Sequence, residues 1–167
     1  TTVWATVNQY SAVPYWDQWN GTIGFYEKWL TEGVDKITLL FSQHNEHRIA
    51  LPRLFFLLDC WVSSCDNRIS IATIFITQLF TIALLSYAFL KIGGSRKNYL
   101  GVVLPFLIIV NYSWIQHENL TWGFQIPFMG VYFWGALSIM LFSLAKESDL
   151  ALKQFVLMSA CLMSASF

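Results

Sequence analysis

From Ile69 to Leu90 the chain reads ISIATIFITQLFTIALLSYAFL, without one formally charged side chain. A helix needs about 20 predominantly apolar residues to cross the hydrocarbon of a bilayer. In hydrocarbon every backbone amide must find its partner within the protein, so a lone run of this kind is expected as a helix. Gln125–Ala145 (QIPFMGVYFWGALSIMLFSLA) clears the same length, and Tyr99–Ile115 (YLGVVLPFLIIVNYSWI) falls just short of it. A fourth apolar run, FVLMSACLMSASF, ends at Phe167. Charged residues make up 12% of the chain, about half of what a soluble domain carries. The expected fold is therefore all-α, a polytopic transmembrane helical bundle with extracytoplasmic interfacial helices. The spans fall at about 69–90, 99–115 and 125–145, with a truncated fourth at 152–167. The opening TTVWATV reads as the tail of an earlier span, which makes residues 1–68 the end of that span plus a long loop. On this reading the chain is the N-terminal piece of a larger protein.

Charge in short loops sets the orientation, because Lys and Arg there are retained on the cytoplasmic side. KIGGSRKN holds Lys91, Arg96 and Lys97, and KESDLALK holds Lys146 and Lys153. Between them, QHENLTWG (Gln116 to Gly123) has neither Lys nor Arg. Alternation of the spans then puts residues 9–68 and 116–124 outside, which is the periplasm if the membrane is a bacterial inner one. Within that first segment, Trp19, Ile23, Tyr26 and Leu30 recur at helical spacing, with Trp29 beside them and Gly33 placed to end the helix. Trp and Tyr favour the headgroup layer, so a helix lying in the interface is expected there. PRLFFLLDCWV, Pro52 to Val62, is apolar but too short to span, and reads as a second interfacial or shallow re-entrant helix. A formal net charge of zero gives no reason to expect a nucleic-acid partner. Membrane lipids are the expected surroundings, and nothing in the sequence sets the oligomeric state.

Two polar clusters fall on the outer side. One is FSQHNEHRIALPR, with Gln43, His44, Asn45, Glu46, His47, Arg48 and Arg53; the other holds Gln116, His117, Glu118, Asn119, Trp122 and Gln125. Titratable groups beside a membrane are costly unless paired or hydrated, and they often line a site. The plain alternative is a pair of solvated loops. A zinc peptidase would need HExxH or HxxEH, and HNEH is neither. His44 and His47 share a helix face if that stretch is helical, so the cofactor stays open, with a divalent metal among the candidates and no metal ligands assigned. Arg48 and Arg53 offer guanidinium forks for a phosphate. Asp17, in PYWDQW, is a candidate general base or a helix N-cap. Asp59 interrupts an apolar run, and pairing to Arg53 or Arg68 is expected. Cys60 and Cys65 sit on the oxidising side of this topology and are candidates for a short-loop disulfide. There is no Walker loop, GxSxG or dinucleotide fingerprint, so soluble cofactor chemistry has no support.

PYWDQW after an apolar opening, then QHNEHRIALPRLFFLLD, then HENLTWGFQ, resembles the layout of bacterial polytopic membrane proteins similar to the class C glycosyltransferases. These use polyprenyl-phosphate sugars as donors. The resemblance implies an extracytoplasmic sugar transfer, with a lipid-linked sugar donor as partner and Asp17 as the base that activates the acceptor hydroxyl. It further implies that Arg48 or Arg53 holds the donor phosphate. Many members carry paired acids at the catalytic position; here Gln18 follows Asp17, and Glu46 is the second candidate base. His44, His47, His117, Glu118 and Gln125 complete the expected substrate-binding set. Two other readings compete. A transporter or flippase for an anionic lipid or solute would need polar groups deep in the spans, where Gln78 and Asn111 are the main ones. A non-catalytic assembly subunit would use the clusters only to contact a partner.

Overall fold

The computed structural model describes residues 2–45, 48–144, 153–155 and 159. Glu46, His47 and nearly all of the expected 152–167 run lie outside the described residues. Among those described the fold is all-helical, with no β-strand. In order come α1 (Thr2–Asn8), a π-helical turn (Trp19–Ile23) leading into α2 (Gly24–Leu30), α3 (Lys36–Leu40), α4 (Ala50–Ser63) and α5 (Arg68–Lys91). After α6 (Arg96–Asn98), a second π-helical turn (Tyr99–Val103) leads into α7 (Leu104–Tyr112). A 3₁₀ turn (Trp114–Gln116), α8 (His117–Thr121) and another 3₁₀ turn (Gly123–Gln125) then lead into α9 (Ile126–Leu144).

Three stretches are long and apolar enough to cross a membrane: Arg68–Lys91, Arg96–Thr121 and Gly123–Leu141. Their outward faces carry Ile76, Leu79 and Phe80 on α5, Phe106 and Ile109 on α7, and Tyr132 and Ile139 on α9. Apolar faces on every spanning element are what a lipid environment covers and water does not. The second stretch is interrupted. Its apolar composition runs on to Ile115, which is 91% exposed, but the regular helix stops at Tyr112. Ser113 is extended there, and its hydroxyl accepts the Ile115 amide at 3.3 Å. A serine that caps the next turn competes with continuation of the helix before it.

α5 is the hub, packing on α4, α7 and α9. It begins at a polar knot. Asp59 of α4 is completely buried and accepts from the Ser63 hydroxyl at 2.7 Å, the Asn67 amide at 3.0 Å and the Ile69 amide at 2.8 Å. The expected pairing of Asp59 with Arg53 or Arg68 is thus replaced. The carboxylate answers amide donors at the start of α5, where the helix dipole also favours negative charge, and Arg68 pairs with Asp66 at 2.9 Å instead. At the far end, Gly93 adopts φ +93°, a conformation that suits glycine, and the chain leaves α5.

The loop side differs from expectation in two local ways. α2 ends at Leu30, three residues before Gly33, because Thr31 is already extended. Its packed face is Gly21, Thr22 and Phe25, while Trp19 and Leu30 point outward. α4 starts two residues before Pro52, which sits in its first turn. One face of α4 is buried through Phe56, Leu57 and Asp59, and the other exposes Leu54, Leu58 and Trp61. Cys60 and Cys65 are joined by a disulfide that ties the end of α4 to the following turn. The tightest apolar core, including Phe56, Ile74, Leu120, Phe124 and Met129, lies where α4, α5 and α9 meet the loop and short turns before α9.

Candidate functional site

Two cavities open on the loop side of this core, and Trp16 and Trp122 line both of them. The first, about 360 Å³, is lined by Asp17, His44, Asn45 and Gln125 as its polar groups. Trp16, Trp122, Phe124 and Phe128 supply its aromatic walls. Three segments far apart in sequence therefore converge here: the PYWDQW loop, the loop before α4, and the entry to α9.

Each side chain is positioned by a local device. The PYWDQW loop is tied down by Gln18, which is buried, accepts the Tyr15 amide at 2.9 Å and donates to Asn67 Oδ1. Asn67 in turn donates its backbone amide to Asp59. The position of Asp17 thus depends on a chain of polar contacts reaching to the start of α5. Trp16 has φ +47°, a left-handed conformation that costs a bulky L-residue roughly 1–2 kcal/mol. Strain of that kind persists where the surroundings over-determine it; here it accompanies the placing of Trp16 in the lining of both cavities. Asn45 at φ +50° makes the corresponding turn beside His44, with the less costly chemistry of asparagine.

Gly21 lets the walls close. A Cβ there would lie 2.8 Å from Phe124 Cζ and 3.1 Å from His44 Cε1. His44 sits edge-on to Phe124 with ring centroids 5.4 Å apart, and Phe124 stacks on Phe56 at 5.4 Å. The imidazole is therefore seated on the apolar core.

Of the residues expected to form one site, Asp17, His44 and Gln125 come together in this cavity. Glu118 lines the second cavity. His117 is exposed, packs its ring against Trp114 at 5.9 Å, and lines neither of the two. Arg48 is exposed and donates to the Phe41 carbonyl at 3.3 Å. Arg53 has a place unlike the expected one. It is buried, its Nη1 donates to the carbonyls of Leu39, Leu40 and Ser42 at 3.0, 2.8 and 2.6 Å, and its guanidinium lies 4.8 Å from the Phe25 ring centroid. Burial lowers its pKa from the ordinary value; the three carbonyls engage Nη1 where a phosphate was expected, while Nε is buried without a partner among the described residues. Glu46 and His47 lie outside the described residues. Among the described residues no group of three or more His, Cys, Asp or Glu is placed to hold a metal.

Read from the sequence, Trp122 belongs to the second polar cluster but Trp16 and Phe124 have no role, because only the fold brings Trp16 and Trp122 into the lining of the same two cavities. Asn45 and Asn67 carried a weak signal, since asparagine is enriched in left-handed turns. No protein-family model matches this chain, and neither a curated protein nor a solved structure matches it.

Proposed function

We propose that the chain is part of an integral membrane glycosyltransferase that moves a sugar from a polyprenyl-phosphate donor to an acceptor on the extracytoplasmic side. The observation that carries the reading is the first cavity. A carboxylate, an imidazole and two carboxamides border it together with the aromatic side chains of Trp16, Trp122, Phe124 and Phe128, at the loop end of the apolar helices. Carboxamides and a carboxylate exchange hydrogen bonds with sugar hydroxyls, and aromatic rings cover the apolar C–H faces of a pyranose.

Asp17 would act as the base. The acceptor oxygen bonds to the anomeric carbon, the bond from that carbon to the phosphate oxygen breaks, the hydroxyl proton passes to Asp17, and polyprenyl phosphate leaves with the electron pair. Arg48, exposed three residues after Asn45, is the cation available for the phosphate once Arg53 is engaged elsewhere. The orientation belongs to the same proposal. Lys91, Arg96 and Lys97 stand at the end of α5 opposite to the cavity, as cytoplasmic loops require. The Cys60–Cys65 disulfide also supports an oxidising compartment on the cavity side.

Transport has less support. Gln78 donates to Met129 Sδ at 2.9 Å and Asn111 to the Leu107 carbonyl at 2.8 Å, so both deep amides serve helix contacts. The test is donor binding and turnover by the full-length protein in nanodiscs with radiolabelled polyprenyl-phosphate sugars, comparing wild type with Asp17→Asn, Glu46→Gln and Arg48→Ala. Asp17→Asn is expected to keep donor binding and lose turnover by about a hundredfold or more. Wild type that binds no donor in the panel would end the transferase reading.

A further inference from the structure

The second cavity has no role in the step just described. It measures about 440 Å³, within the usual range of small-molecule sites. Its aromatic surface is Tyr15, Trp16 and Trp122, with Tyr15 56% and Trp16 71% exposed. Tyr15 and Trp16 stack nearly parallel, 13° apart at 5.4 Å, while Trp122 stands at 76° to Tyr15. Around these rings stand hydrogen-bonding groups that include Gln9, Thr121 and Glu118. Glu118 is the only charged side chain in the lining among the described residues.

Each feature narrows the ligand. A wholly apolar molecule would strip water from Glu118 and the amides and give them nothing in return. An anion would meet a carboxylate with no cation among the described lining residues, which disfavours it by simple repulsion. An ammonium cage surrounds its guest with ring faces, whereas Tyr15 and Trp16 each cover one face of the other. A molecule with an apolar face and a rim of neutral hydroxyls meets all the groups present. We infer that this cavity binds a neutral saccharide. Resting on the transfer reading above, that saccharide is a sugar unit of the acceptor away from the reacting hydroxyl, held on the Glu118 side of Trp16 and Trp122 while the hydroxyl itself reaches Asp17 in the first cavity.

The experiment is saturation-transfer NMR on the full-length protein in nanodiscs, with methyl glycosides of neutral hexoses, glucuronate and choline as three arms. Neutral glycosides are expected to bind and the other two not. Tyr15→Ala should weaken binding about fivefold to tenfold by removing one stacking face, while Tyr15→Phe keeps it and so rules out mere misfolding. Glu118→Gln should weaken it about threefold, the loss of a charge-assisted hydrogen bond. Preference for glucuronate or choline, no signal from any glycoside, or binding indifferent to Tyr15→Ala would each overturn the inference. The donor assay separates the two claims. Glycoside binding without donor turnover leaves this cavity standing and removes the transferase. Donor turnover without glycoside binding removes only the cavity's assignment.

Discussion

Asp59 and Arg53 lie six residues, about one and two-thirds turns, apart on α4, both buried, yet neither neutralises the other. Asp59 collects a hydroxyl and two amides, and Arg53 collects three carbonyls. Each charge is held by backbone dipoles, and removing either side chain leaves several groups unsatisfied at once. Asp59→Ala is therefore expected to cost about 3 kcal/mol, and Asp59→Asn less, because hydrogen bonds to a charged group contribute about 1.5–3 kcal/mol. Thermal unfolding in nanodiscs, followed by circular dichroism, measures both. The same site chemistry makes Gly21→Ala informative. Its new methyl would press into Phe124 and His44, so a loss of about 1–3 kcal/mol is expected from overpacking, together with weaker donor binding. A fully stable Gly21→Ala protein would mean that the Phe124 wall can yield.

α3 shows how a short element survives. Five residues are too few for a helix to hold itself together, and its ends are closed from outside. At its start Asp35 accepts from the Thr38 hydroxyl and the Ile37 amide, and at its end the carbonyls around Leu39–Ser42 are held by Arg53. The Thr38 hydroxyl first, and the Ile37 amide second, lower the Asp35 pKa. A carboxylate whose folded pKa is depressed stabilises above its unfolded pKa and loses that contribution as pH falls through the folded value. The cap is thus intact at neutral pH, begins to lose its advantage near the ordinary aspartate value of about 4, and is lost as pH falls below that through the depressed folded value. Amide exchange in residues 36–40 should accelerate as pH drops through that window, after correction for intrinsic exchange. In Asp35→Ala the acceleration should be present at neutral pH already and show no further step.

Over the whole molecule, apolar faces point outward on all three candidate spans, while the polar cavities gather at one end. The proposed topology predicts opposite accessibility for the two ends of α5. In sealed vesicles, an impermeant maleimide should label Ser95→Cys from the cytoplasmic side alone and Glu118→Cys from the other, in a background without Cys161. Labelling of both from one side would reverse or abolish the proposed orientation. Reducing the Cys60–Cys65 bond should lower stability by about 2 kcal/mol and loosen the turn that leads into Asn67. If Asn67 shifts, Gln18 and the PYWDQW loop shift with it, so donor binding should fall on reduction as well.

The all-helical character and the apolar spans were legible in the residue order, because hydrophobic length and backbone satisfaction are properties of a single segment. Ile69–Leu90 reads as a membrane helix in isolation, and α5 runs from Arg68 to Lys91. Charge density also marked the loops around His44 and Glu118 as chemically unusual. What sequence could not decide was partnership. Arg53 next to a histidine-rich block looked like a phosphate clamp, and α3 folded back to claim it. Asp59 looked like half of an ion pair, and the start of α5 claimed that. Asp17, His44 and Gln125 line one cavity and Glu118 the other, with Trp16 and Trp122 in both linings. Burial, capping and convergence are set by which surfaces face one another. That choice is made by packing α4, α5 and α9 together, and no single stretch of the chain contains it.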